Sequence, residues 1–147
     1  MKIFSDFAEF QTWANLKILE MLRNTPTEHG LTAFAHLLGA NLVWGSRLAG
    51  TAPECAVVPN WNLDECEAAI GRISTLFEQL APDLCETRLV DYKTSTGIDS
   101  RSTVGEIMLQ LWGHNAYHRG EIAREIIQQG GRTPDTDYII FARSKNC

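Results

Sequence analysis

The run from Thr103 to Gln129, TVGEIMLQLWGHNAYHRGEIAREIIQQ, constrains this chain more than any other stretch. Val104, Ile107, Met108, Leu111, Ile122, Ile126 and Ile127 recur at helical spacing. Thr103 followed by Glu106 is a capping-box start, and Gly130 and Gly131 supply a glycine stop. The pattern predicts a helix of roughly 26 residues, about 39 Å long at 1.5 Å per residue. A rod of that length with one apolar stripe needs comparable rods to cover it.

Three further segments supply them. The first is expected from Phe4 to Arg23, with Phe7, Phe10, Ala14, the Leu16–Leu19 run and Leu22 in a broad apolar band that ends before Pro26. The second is expected from Glu28 or Gly30 to Leu48, with Leu31, Phe34, Leu38, Leu42 and Gly45 as its stripe and Gly50 and Pro53 as stops. The third opens at Asn62, where Glu65 completes a capping box, and continues to Leu80 ahead of Pro82. The link ETRLVDYKTSTGIDSRS reads as a short β-hairpin or an ordered crossover able to travel along the helices before helix four. The tail segment DYIIFA is expected to pack as an extended strap. With 147 residues, 44% apolar and 21% charged, the chain is expected to be one globular domain spanning 1–147.

The totals also narrow function. A net charge of −5 and the lack of any basic run argue against nucleic-acid binding. No window offers ~20 apolar residues, so no membrane span is expected. The opening MKIFSDFAEF carries Asp6 and Glu9, so no secretory signal is expected. Cys55, Cys66, Cys85 and Cys147 form no CxxC pair and read as reduced thiols of a cytoplasmic protein.

The chemistry lies in HNAYHRG. With Ile107 at 0° on the wheel of helix four, His114 falls near about −20° and His118 near about 20°, inside the apolar stripe. Residues four apart stack, so two imidazoles can reach one ion. Unpartnered, each buried ring would cost about 1–3 kcal/mol, and ligation removes that cost. Imidazole suits zinc and nickel among divalent ions. The motif is not a zincin, because Asn115 stands where a glutamate base belongs, nor is it a di-iron bundle, which needs four inward glutamates and two ExxH pairs. A third ligand must come from His29 or His36, and periodicity leaves the choice open. His36 lies about 120° off the stripe of helix two, and His29 shares its side. Glu121, one turn beyond His118, could orient an imidazole, and Asn115, Tyr117 and Arg119 sit alongside. Pairing of Arg119 and Glu121 with neighbours or solvent is the plainer reading. Asn15 is a further candidate from helix one. Trp112 falls off the core stripe, which suits either a homodimer contact or cover by the tail.

FQTWANLKILEML, FAHLLGANLVWGSRLAG, GHNAYHRGEI and GGRTPDTDYIIF together carry a resemblance over nearly the whole chain. They resemble the DinB-like family. The resemblance implies His36, His114 and His118 as ligands of one divalent ion, and it implies an all-α four-helix bundle with up-down-down-up connections. Glu121 departs from the glutamine often found there in the family. Three histidines leave a coordination position for water or a thiolate. Relatives include thiol-dependent transferases, so the expected function is a metal-dependent enzyme activating a thiol or water, with a small-molecule substrate such as a low-molecular-weight thiol. The alternatives are a non-catalytic metal-binding or stress-related accessory bundle, and a plain helical bundle whose histidines are core residues. Homodimerisation is also implied by the resemblance.

Overall fold

The computed structural model describes the backbone of residues 2–146 and the side chains of residues 4–146, so Cys147 lies outside the described residues. It is mostly helical, with a small two-stranded antiparallel sheet. The elements are α1 (Lys2–Asn24), α2 (Glu28–Ala49), α3 (Leu63–Leu80), a 3-10 turn (Ala81–Asp83), β1 (Leu89–Lys93), β2 (Asp99–Thr103), α4 (Val104–Gln128) and α5 (Tyr138–Ser144).

Local chemistry sets the boundaries. Thr27 caps α2 by accepting from the Gly30 amide at 2.8 Å, and Gly50 ends it with φ 71°. The two expected capping boxes close at Asn62/Glu65 and Thr103/Glu106. No described helix is long and apolar enough to cross a membrane.

The long helices meet in definite directions. Phe7 and Phe77 touch with ring centroids 4.9 Å apart, while Arg23 at the far end of α1 pairs with Asp64 and Glu67 at the start of α3, so α1 and α3 run antiparallel. Asn41 meets Asn115 and His29 meets Glu121, so α2 and α4 also run antiparallel. Phe7 meets Trp112 and Gln11 meets Arg119, which makes α1 and α4 parallel. The core fills the space between them, with Phe7, Phe34, Leu38, Leu42, Phe77, Ile107, Leu111 and Ile122 almost wholly buried.

Several expectations change. Of the two forms expected for the segment before α4, it takes the short hairpin, β1–β2 in register from Leu89↔Thr103 to Lys93↔Asp99, and is not the long crossover that travels along the helices. It sits against the end of α2, where Trp44 packs on Tyr92 at 5.0 Å and Arg47 donates to the Lys93 carbonyl. The travelling link is instead residues 50–62, which climb back beside α2 and bring Ala56, Val57 and Pro59 against Gly39. This return segment leaves α2 buried nearly all round: every residue from Ala33 to Val43 except His36 is buried. The wheel put His36 off the stripe, and it is the one position of this run that is not buried; what the wheel could not show is that the histidines of α4 meet it there.

The tail segment DYIIFA is not an extended strap. Residues Tyr138–Ser144 form α5, because helical spacing puts Tyr138 and Phe141 on one face against Phe10. Trp112 is covered there too, between Phe7, Phe10 and Tyr138. The tail therefore accounts for Trp112 without a second subunit. Leu16 and Ile127, placed in the apolar bands by their spacing, are exposed. Cys66 is buried, Cys55 half-buried and Cys85 exposed, all as free thiols.

Candidate metal centre

His36 from α2 and His114 and His118 from α4 converge. Their ring centroids lie 5.0, 4.7 and 4.4 Å apart for the pairs 36–114, 36–118 and 114–118. One ring nitrogen from each lies within 4.8 Å of the other two. Zinc bonds to imidazole at about 2.0–2.1 Å, so two tetrahedral ligand nitrogens sit roughly 3.3 Å apart. The Nε2 atoms of His36 and His114 are 3.2 Å apart, at that spacing already. Closing the widest remaining gap needs a side-chain movement of at most about 1.5 Å against the same bond length.

The far nitrogens show which lone pairs face inward. His36 Nδ1 lies 2.9 Å from the Val57 carbonyl and His118 Nδ1 lies 2.8 Å from Glu121 Oε2. Both acceptors carry no proton to give, so each Nδ1 donates and each Nε2 keeps its lone pair. Inward-facing lone pairs at this range repel unless a proton or a cation sits between them. A single N–H···N bond could join His36 and His114 but would leave His118 unanswered. A divalent ion satisfies all three, and the donor set fits one.

The electrostatics agree. Burial, and then the like charges of protonated His118 and His36, push His114 from the ordinary 6.5 down to about 4. His114 is therefore neutral at pH 7 and ready to ligate. The hydrogen bond from His118, with a second from His29, holds the Glu121 carboxyl below its usual range. A stability trend follows for the metal-free protein. The folded His114 takes its proton at lower pH than the unfolded chain does, so the unfolded state binds more protons between the two values. Stability should fall as pH drops from about 6.5 towards about 4 and then level off with respect to this group. Calorimetry on metal-free protein and on His114→Asn should show a shallower fall for the variant, and parallel curves would remove His114 as the cause.

The return segment makes a second, testable demand. A Cβ on Gly39 would lie 2.7 Å from Pro59 Cδ and 3.0 Å from both the Ala56 and Val57 carbonyl oxygens. Two of these three contacts are backbone, and the Val57 oxygen is the one that orients His36. Gly39→Ala should displace the segment and weaken metal affinity about tenfold, the low end for lost partners of a ligating histidine. Chelator competition measures it, and an unchanged affinity would mean the segment shifts without disturbing His36.

Other candidates lie elsewhere. Asn115 is fully buried and exchanges two hydrogen bonds with Asn41 at 2.7 and 3.0 Å, and its side chain also bears on His114, opposing in small part the fall in that ring's pKa. Arg119 is not a surface charge. It is 4% exposed, donates to Gln11 Oε1 at 2.7 Å and lies over the Phe10 ring. Burial lowers its pKa to about 10, still high enough to keep it charged at neutral pH. Asn15 is buried on α1. Glu121 is where the spacing put it. Tyr117 packs edge-on to His118 at 5.1 Å and, with His29, Glu121 and Arg124, lines a cleft of about 510 Å³. Sequence reasoning missed the Val57 carbonyl and the His29–Glu121 contact. Neither has a local signature, since one is a backbone atom and the other joins residues 92 positions apart.

The chain is similar to Protein DinB of Bacillus subtilis (strain 168), with 26% identity over 163 aligned residues, covering 93% of this chain and 94% of the relative. The likeness agrees with the resemblance to the DinB-like family. No family model matches it, and no solved structure matches it. The likeness reaches across both α2 and α4, so the DinB-like sequence and the three-histidine cluster occupy the same part of the chain.

Proposed function

We propose that this DinB-like chain is a divalent-metal protein that uses His36, His114 and His118 as ligands on an up-down-down-up four-helix bundle of one domain. The single observation that carries the reading is the convergence of three ring nitrogens, two of them on rings whose outward Nδ1 partners leave the inner lone pair facing the cluster. A bound ion of this class lowers the pKa of water or a thiol at its open position and supplies Lewis acidity. The chain's own residues do the positioning: Val57 holds His36, Glu121 holds His118, and burial keeps His114 neutral. Zinc or nickel suits the all-nitrogen set.

Within this reading the protein is a metal-dependent transferase or hydrolase acting on a small molecule, a low-molecular-weight thiol being the first candidate. The cleft lined by Tyr117, Glu121 and Arg124 does not reach the three histidines themselves but adjoins them, because Tyr117 and Glu121 both touch His118, and it offers room for such a ligand there. A cytoplasmic setting and a homodimer belong to the same reading. The second reading, a non-catalytic metal-binding bundle, is favoured by a specific feature. Glu121, the carboxylate against the histidine cluster, has one oxygen on His118 and the other on His29, which leaves no free base there.

Elemental analysis of protein made without a histidine tag tests the metal: about one divalent ion per chain is expected. Absence of any retained ion after metal loading would end the proposal. Thiol-transfer assays with glutathione-like, bacillithiol-like and mycothiol-like donors then separate the two readings. Turnover supports the enzyme, and silence across these and simple ester and amide substrates supports the non-catalytic bundle.

A further inference from the structure

The geometry points to His29 as a positioning residue of the metal centre, acting through Glu121 to hold His118 in its ligating tautomer. This rests on the three-histidine reading and extends it to a side chain that touches neither the ion nor a ligand.

The placement follows from helix periodicity. His29 and His36 are seven residues apart on α2, and His114 and Glu121 are seven apart on α4. Seven residues are about two turns, so each pair shares a helix face. Because α2 and α4 run antiparallel, the two faces meet in two rungs. The inner rung is His36 against His114 and His118. The outer rung is His29 against Glu121, with His29 Nε2 2.9 Å from Oε1. Glu121 Oε2 is 2.8 Å from His118 Nδ1, so one carboxylate bridges the exposed histidine and the cluster histidine.

The bridge has a direction. An ionised carboxylate only accepts, so His29 and His118 must both donate to it. Donation from His118 Nδ1 leaves Nε2 bare, as ligation requires. Glu121 reaches His118 from one turn along the same helix, and its side chain has several rotatable bonds. With Oε1 released, the carboxylate gains the freedom to swing into the adjoining cleft, and His118 loses the acceptor that fixes its tautomer. His29 is well placed to prevent this because it stands in the first turn of α2, anchored by the Thr27 cap. Its side chain is 60% exposed, so it contributes little by burial, and an exposed ion pair adds little to stability. Its effect should therefore appear in ligation rather than in folding.

The test uses the full chain without a histidine tag. Zinc affinity by chelator competition is measured for wild type, His29→Ala, His29→Gln and His36→Ala, alongside the tautomer of His118 in metal-free protein by nitrogen NMR. His29→Ala should bind zinc roughly threefold to tenfold more weakly, below the 10–100-fold typical of direct partners of a ligand. Its His118 should shift from the Nδ1–H form to a mixture, while its unfolding midpoint stays at the wild-type value. His29→Gln, whose amide can donate to Oε1, should restore both affinity and tautomer. Wild-type affinity in His29→Ala with His118 still fully Nδ1–H would overturn the inference while leaving the metal site intact. If wild type and His36→Ala both fail to hold zinc, the functional reading fails, and the tautomer in metal-free protein still decides the role of His29.

Discussion

Replacing His36 with Ala should lower metal affinity by about 100-fold or more while the helical fold persists. The size follows from the energetics of ligation. Four-ligand zinc sites bind with about 10–16 kcal/mol, or roughly 3 kcal/mol per ligand, and each 1.4 kcal/mol is tenfold. Loss of one of three ligands also strands the other two, because His114 and His118 on a single helix face hold an ion with two nitrogens only. The fold should survive because His36 is the one position between Ala33 and Val43 that is not buried. Its removal frees the Val57 carbonyl at the edge of the return segment, where water can reach it. Chelator competition and elemental analysis measure the loss, with circular dichroism as the check on folding. Retention equal to wild type would show that the ion, if present, sits elsewhere.

The second large effect is on stability. Asn41 and Asn115 are both 0% exposed and exchange reciprocal hydrogen bonds between α2 and α4. Asn41 Nδ2 also donates to the Leu37 carbonyl at 2.7 Å. Asn115→Ala removes one half of the pair and leaves Asn41 Oδ1 buried without its donor. Each buried polar group so stranded costs about 1–3 kcal/mol, and the vacated volume adds to it. A total near 3 kcal/mol is expected, which lowers the unfolding midpoint by about 6–12 °C at this chain length. Urea denaturation should show the loss in Asn115→Ala, and a smaller loss when both positions become Leu, since removing both partners leaves nothing unpaired. Equal losses in the single and double variants would mean that shape, not hydrogen bonding, sets the cost. The pair lies beside His114 on α4, so it also fixes how far the two helices slide past one another.

These effects join the pH trend of His114 and the Gly39→Ala loss in one picture. The centre is held from outside as much as from within. One imidazole leans on a backbone oxygen, one on a carboxylate, and the third is kept neutral by burial.

Much of this was legible from local pattern. Capping boxes at Asn62/Glu65 and Thr103/Glu106 set the starts of two helices, and a glycine closes another. The apolar stripe of α4 placed His114 and His118 inward, because a helix repeats every 3.6 residues whatever surrounds it. Glu121 followed from its spacing to His118. Pattern failed where a residue's surroundings come from distant chain. The wheel of α2 left His29 and His36 open because both lie off its stripe, and which of them meets His114 and His118 depends on how α4 packs. Arg119 read as a surface charge because nothing local shows Gln11 and Phe10 waiting on α1. The tail read as an extended strap, yet Phe10 and Trp112 reward a helical face there. Sequence alone thus determined which residues share a helix face and where the helices start and stop, since those depend on neighbours within a few positions. Periodicity could not choose between His29 and His36; the resemblance implied His36, and only the tertiary structure shows it in the inner rung and shows what holds His36 and His118 in place. Those choices depend on the directions in which helices pack and on backbone oxygens, which no side-chain pattern records.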